Sequence, residues 1–181
     1  MKPHYSTALP SYYFGLEPST PARQQETTSR NALAALLTPS DVALDVDAST
    51  KERALEEAAR FLAERHGLRG TDIHANLLER EKIGSTALGF GIAIPHARVQ
   101  GLLSPVAAFL RTRDPIPFGA PDDRPVRELL VLLVSPQAAD EHLELLAEVA
   151  EMFSEKQLRE RLRLQSDPAR VHALLTTRGG A

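Results

Sequence analysis

Two apolar runs limit the architecture more than any other feature of the chain: Leu129-Leu130-Val131-Leu132-Leu133-Val134 and, upstream, Val106-Ala107-Ala108-Phe109-Leu110. Neither alternates apolar with polar residues. A strand with one face in water alternates, so near-continuous runs rich in β-branched and aliphatic residues mark strands covered on both sides. Covering both sides requires helices above and below a sheet.

The flanking segments supply them. Residues 29–37 place Leu33, Leu36 and Leu37 on one helical face, stopped by Thr38-Pro39, because a residue before proline is pushed out of the helical region. Val42-Ala43-Leu44-Asp45-Val46 reads as a first strand. Ser49 with Glu52 forms a capping box for a helix carrying Ala54, Leu55, Ala58, Phe61 and Leu62, closed by His66 and Gly67. Thr71 caps a second helix with Ile73, Leu77 and Leu78 inward, ending in Glu79-Arg80-Glu81-Lys82. After the apolar strands, Asp140 caps a helix carrying Leu143, Leu146, Ala147, Ala150 and Phe153. Ser154 with Gln157 opens a helix through Leu158, Leu162 and Leu164, and Asp167-Pro168 opens the last, with Val171, Leu174 and Leu175 inward. Residues 114–125 form a proline-rich excursion between the strands. The pattern predicts an α/β fold, a mixed β-sheet flanked by helices on both faces, in a single domain spanning 29–177. Residues 1–28, with four prolines among Ser, Thr and Gln, read as a flexible N-terminal extension, and residues 178–181 as a frayed C-terminus.

Charge and cysteine content exclude several function classes. A net charge of −3 provides no basic field to draw the chain to nucleic acid. With no cysteine, disulfides, thiolate catalysis and cysteine-bound zinc are ruled out, and a reducing cytoplasm is the expected setting. No apolar run approaches membrane-spanning length and no secretory signal opens the chain, so direct membrane insertion is not expected.

The chemistry concentrates in Gly84-Ser85-Thr86-Ala87-Leu88-Gly89-Phe90-Gly91-Ile92-Ala93-Ile94-Pro95-His96. A glycine-punctuated polar loop runs into a short apolar strand, and Pro95 is expected to end that strand and present His96 where it leaves the sheet. A dinucleotide fingerprint fails here, since Gly89-Phe90-Gly91 leads into an apolar, proline-terminated segment instead of a helix. A phosphate-binding loop of the Gly-Lys-Ser/Thr kind fails too, because no lysine lies between Lys82 and Lys156. The remaining reading makes His96 a nucleophile: one ring nitrogen carries the lone pair, and the other donates to a carbonyl and fixes the tautomer. Ser85, Thr86 and the loop amides are candidate phosphate-binding donors, and Arg80 at the loop entrance stabilises the charge. Glu79, Glu81 and Lys82 read as a solvated last turn.

His142 is the second candidate, in the first turn of the helix opened by Asp140, where the positive end of the dipole favours both a phosphate and a neutral imidazole. A metal site is the rival use of two histidines, but no H-x-x-x-H or H-E-x-x-H occurs, so neither a metal nor a cofactor is expected. His66 reads as a cation at a helix C-terminus, and His4, His74 and His172 as surface or boundary residues.

The run Arg80-Glu81-Lys82-Ile83-Gly84-Ser85-Thr86 followed by Gly91-Ile92-Ala93-Ile94-Pro95-His96 resembles the signature of the fructose/mannitol-type enzyme IIA domain of the phosphoenolpyruvate phosphotransferase system, most closely its nitrogen-regulatory branch. The resemblance covers about residues 29–177. It implies that His96 is the residue phosphorylated, on its tele nitrogen, that His142, preceding Leu143, supports it, and that Arg80 lines the site. It further implies a phosphocarrier fed by an HPr-like phosphohistidine protein and regulating other proteins, such as sensor kinases or potassium transporters, with a homodimer left open. The alternatives are a free-standing sugar-uptake enzyme IIA that passes phosphate to an enzyme IIB, and a binding module that no longer accepts phosphate. The chain departs from the branch at Ala97-Arg98, where Gly-Lys often follows the histidine, and at Phe90 between the loop glycines. Both lie at the pocket rim and bear on partner choice.

Overall fold

The computed structural model describes residues 32–137 and 139–177, the side chains of 139–142 excepted. The expectations for the extension 1–28, the helix start at Ser29 and the end 178–181 lie outside the described residues. The two apolar runs are the adjacent central strands β5 (Val106–Ile116) and β6 (Val126–Val134), antiparallel with Phe109 opposite Leu130. Their side chains alternate between two cores. Ala108, Leu110, Leu129, Val131 and Leu133 meet α2 (Lys51–His66) and α3 (Gly70–Ile83). Ala107, Phe109, Leu130 and Leu132 meet α1 (Ala32–Leu36), α4 (Ala139–Ser154), α5 (Lys156–Arg163) and α6 (Pro168–Thr176). Phe109, Leu130 and Val131 are completely buried, each stabilising the fold by about 1.5–3 kcal/mol. The predicted architecture of a mixed sheet between two helical layers is the one observed.

β1 (Val42–Val46) runs parallel to β5 at one edge, and at the other β3 (Ile92–Ala93) runs parallel to β6 with β2 (Ala87–Gly89) antiparallel outside it. The segment after Pro95 corrects the expectation that the strand leaves the sheet there. β4 (His96–Arg98) resumes parallel pairing with β6, His96 opposite Leu132, after a break at Ile94-Pro95. Proline removes a donor but not an acceptor: the Pro95 carbonyl receives Leu132 N–H at 2.9 Å, which carries the register across the break. The proline-rich excursion is likewise shorter than expected, since β5 continues through Pro115 to Ile116 and pairs again with Val126.

Several helix boundaries shift by a residue or two. Thr50, not Ser49, caps α2, its hydroxyl accepting Arg53 N–H at 3.2 Å. α3 starts at Gly70 rather than after Thr71, and because a Cβ at Gly70 would lie 3.3 Å from Ala63 Cβ, the glycine lets α2 and α3 approach closely there. Ser154 ends α4, its hydroxyl donating to Glu151 O, and Glu155 stands at the N-cap of α5. The inward face of α4 is Leu145, Val149, Met152 and Phe153, whereas Leu143 is 65% exposed; α5 ends at Arg163, one residue before Leu164, which is 82% exposed. A helix apolar around much of its circumference does not reveal which stripe meets the sheet. The His66 ring lies 3.1 Å from the buried Asp41 carboxylate, so its partner is a side chain rather than the helix end alone.

A charged pair sits inside the second core. Arg111 of β5 and Glu128 of β6 are opposite in register, with Nη2 to Oε1 at 3.1 Å and both side chains buried. The same guanidinium donates to Leu162 O and Gln165 O, both at 2.6 Å, and so closes the C-terminal end of α5. Burial pushes the Glu128 carboxyl above its usual range, against the pull of Arg111 and Arg163. At the β2–β3 turn, Phe90 takes φ +57 between Gly89 and Gly91. That left-handed residue is held from three sides: Asp122 accepts its N–H at 2.7 Å, Arg163 donates to its carbonyl, and the Arg159 guanidinium covers its ring at 4.2 Å.

Candidate functional site

The last turn of α3 and the first residue of β4 meet at His96. The ring is held by its own strand: Nδ1 lies 2.8 Å from the Ile94 carbonyl. A carbonyl only accepts, so Nδ1 carries the proton and Nε2 the lone pair. Arg80, one turn from the end of α3, donates through Nε to His96 Nε2 at 2.9 Å and through Nη1 to the Gly84 carbonyl at 3.0 Å. Arg80, expected at the loop entrance, thus lies in direct contact with the His96 ring. Asn76 ties the same helix to β4, donating to Arg98 O at 3.0 Å.

Burial keeps the His96 pKa below its ordinary 6.5, and Arg80 acts in the same direction, while the Ile94 hydrogen bond and the Glu81 carboxylate work upward. The neutral, nucleophilic ring is therefore favoured over the protonated one relative to an exposed histidine at the same pH. In a ring-resonance NMR titration the His96 midpoint is expected below 6.5, and Arg80→Met is expected to raise it by removing the adjacent cation. A midpoint that stays put or falls in that variant would contradict this account of the site's electrostatics.

The loop hydroxyls face other partners. Ser85 Oγ donates to Phe118 O at 2.8 Å and accepts Ala87 N–H at 3.2 Å. Thr86 is buried, its hydroxyl donating to Glu81 Oε2 at 2.7 Å and its N–H to the same carboxylate at 3.1 Å. The structure thus brings His96 and Arg80 together and seats Ser85 and Thr86 in the framework of the loop. His142 is the fourth residue of α4, and its side chain lies outside the described residues. Its helix does reach the site: Leu143 and Leu146 line an open pocket of about 810 Å³ together with His96, Arg80 and Ile83. Ile83 and Leu143 are largely exposed there, an apolar rim around a polar centre.

Glu81 is the site residue that sequence reasoning missed. Expected in solvent, it is 9% exposed and also accepts Lys51 Nζ at 3.1 Å. Glu79 and Lys82 do lie in solvent as expected, where they pair at 2.5 Å. No periodic signal marks Glu81; its burial follows from the chain turning at Gly84 and setting Thr86 against its carboxylate. Among the described residues no three His, Asp or Glu side chains converge as metal ligands, and no helix is long and apolar enough to cross a membrane.

The sequence profile of the EIIA 2 family of the phosphoenolpyruvate-dependent sugar phosphotransferase system matches residues 35–177. A nitrogen regulatory protein of Pseudomonas aeruginosa is 44% identical over 129 residues, 71% of this chain and 84% of that protein. Among solved structures, nitrogen regulatory protein IIA-Ntr of Neisseria meningitidis superposes with a TM-score of 0.76 at 42% identity, over 80% of this chain and 99% of its own. The mannitol IIA of Escherichia coli superposes with a TM-score of 0.66 at 25% identity, over 77% of this chain and 98% of its own. The chain belongs to the EIIA 2 family of the phosphotransferase system, and its relatives include nitrogen regulatory proteins.

Proposed function

We propose that this protein is a cytoplasmic phosphocarrier that accepts a phosphoryl group on Nε2 of His96 from the phosphohistidine of an HPr-like protein, and that its phosphorylation state regulates other proteins. The observation that carries the reading is the polarity of the ring. With Nδ1–H committed to Ile94 O, the lone pair lies on Nε2, against Arg80 in an open pocket.

In the step itself the Nε2 lone pair forms the new N–P bond while the N–P bond of the donor breaks and its electron pair returns to the donor's ring. No proton is exchanged at Nε2. Arg80 Nε–H must release Nε2 as bonding begins, and a guanidinium so placed can turn its fork to the phosphoryl oxygens. Such a transfer depends mostly on positioning and charge stabilisation, since the protein forms no further bond. His142 is proposed to support the phosphoryl group from the start of α4. Ser85 can offer its hydroxyl to the phosphoryl oxygens after turning from Phe118 O, while Thr86, with both donors on Glu81, holds the loop. The exposed Ile83 and Leu143 suit a docking partner with a complementary apolar patch. Sensor kinases and potassium transporters are the regulated class that the nitrogen-branch resemblance suggests. A second reading, a sugar-uptake IIA passing phosphate to an enzyme IIB, is favoured by the likeness to the mannitol IIA.

The test is a relay driven by labelled phosphoenolpyruvate through an enzyme I and an HPr-like protein. The expected product is an acid-labile, alkali-stable phosphate on this chain. Onward transfer to a fructose-type IIB at rates matching sugar import would favour the second reading, and absence of any label would leave only a non-phosphorylated binding module.

A further inference from the structure

His96 is connected to a buried carboxylate by an unbroken hydrogen-bonded path. His96 Nδ1–H donates to Ile94 O at 2.8 Å, and Ile94 N–H donates to Thr86 O at 3.0 Å. Thr86 N–H donates to Glu81 at 3.1 Å, and Glu81 also receives the Thr86 hydroxyl at 2.7 Å and Lys51 Nζ at 3.1 Å. Two residues, Thr86 and Ile94, thus lie between the Glu81 carboxylate and the nitrogen opposite the one that attacks. The N–H and C=O of Thr86, and those of Ile94, belong to different peptide groups, so the link is positional: Glu81 fixes the Thr86 backbone, Thr86 O fixes Ile94, and Ile94 O fixes the ring, while the charge of Glu81 acts on His96 through space.

From this path we propose that Glu81 is a positioning residue for His96, fixing the Ile94 carbonyl through Thr86 so as to hold the Nδ1–H tautomer, and favouring electron density at Nε2 by the field of its nearby charge. The proposal rests on the phosphocarrier reading for its catalytic consequence, though not for its structural one. Three features support it. Glu81 immediately follows Arg80 on α3, so the residue that fixes the loop and the residue that touches Nε2 share one helical turn. Lys51 comes from the first turn of α2 and is one-quarter exposed, so the buried carboxylate has a cation beside it and is not an isolated charge. The charged groups of α3 nearest the ring are Arg80 and Glu81, and these pull it in opposite directions; Glu79 and Lys82 pair with one another on the surface. An orienting partner of this kind does for a nucleophilic imidazole what an outer carboxylate does for a metal-bound one, except that the effect crosses backbone instead of direct contact.

The experiment uses the full chain, ¹⁵N-labelled, in three forms: unaltered, Glu81→Gln and Lys51→Met. In Glu81→Gln the His96 pKa is expected to fall and its two ring ¹⁵N shifts to move toward a mixture of tautomers. The maximal rate of phosphorylation is expected to drop roughly tenfold, the low end of what losing an orienting partner costs, with KM for the donor changed by less than about twofold. Lys51→Met strips the carboxylate of its cation and is expected to shift the His96 pKa the opposite way, upward. Unmoved ring shifts and pKa in a folded Glu81→Gln chain would overturn the proposal. Should Glu81→Gln fail to fold, an unmoved His96 pKa in Lys51→Met overturns it equally. If the unaltered chain takes no label from the relay, the phosphocarrier reading falls while the ring titration still decides the role of Glu81.

Discussion

His96→Ala is expected to abolish labelling in the phosphoenolpyruvate relay while the chain stays folded. The substitution removes the ring that carries the lone pair and leaves little behind that could replace it. Of the nearby hydroxyls, Ser85 is committed to Phe118 O and Thr86 to Glu81, and a neutral hydroxyl without a base is a far weaker nucleophile than an imidazole. The structural cost is small. His96 is partly buried at the edge of an open pocket, and its loss leaves Ile94 O without that donor, a cost of about 1 kcal/mol. Arg80 loses an acceptor at the edge of solvent, where water replaces it. Labelling and thermal unfolding measured on the same preparation separate the two effects. Full labelling of the Ala variant, or a phosphate mapped to another histidine in the unaltered chain, would remove His96 from the centre of the proposed function.

Much of the layered fold is readable from residue pattern because burial on both faces leaves a local mark. Leu129 to Val134 cannot be half-solvated, and Gly67 and Asp167 take the helix-end roles their residue types suggest. The centre of the site is readable for a related reason: glycines, a proline and a histidine are consecutive, so chain order alone places Arg80 and His96 at the two ends of one loop. What stays hidden depends on contacts between distant segments. Glu81 has a surface residue's neighbours in sequence, and only the arrival of Lys51 from thirty residues upstream and of Thr86 across the turn gives it a buried role. Leu143 fits an inward stripe by spacing, yet packing assigns that stripe to Leu145 and Val149 and leaves Leu143 on the pocket rim. Phe90 offers no hint of a left-handed backbone, because Asp122, Arg159 and Arg163 that hold it come from other elements.

The same logic makes Arg111→Met the substitution with the largest expected effect on stability. Arg111 and Glu128 occupy opposite positions on two otherwise apolar central strands, and the cation also closes the carbonyls at the end of α5. Methionine preserves length and can pack on the Phe109 ring that the guanidinium now faces at 5.8 Å. It leaves Glu128 buried without its nearest cation, a change that costs about 3–5 kcal/mol. Arg163, 3.8 Å from the other carboxylate oxygen but half in solvent, offsets only part of that. The pH dependence follows from the sign of the shift. The Glu128 pKa is already raised by burial and rises further once Arg111 is gone, so the folded state prefers the protonated acid. The deficit of the variant is therefore full at neutral pH and shrinks as pH falls through the raised value toward the ordinary 4.5. Denaturant unfolding of both chains at neutral and mildly acidic pH reads this directly. Arg111→Met combined with Glu128→Leu is expected to recover most of the loss, since removing both charges removes the unpaired one. A single variant within about 1 kcal/mol of the unaltered chain at neutral pH, below the range for breaking a buried pair, would mean that neither the charge pair nor the carbonyl contacts of Arg111 carry the stability assigned to them here.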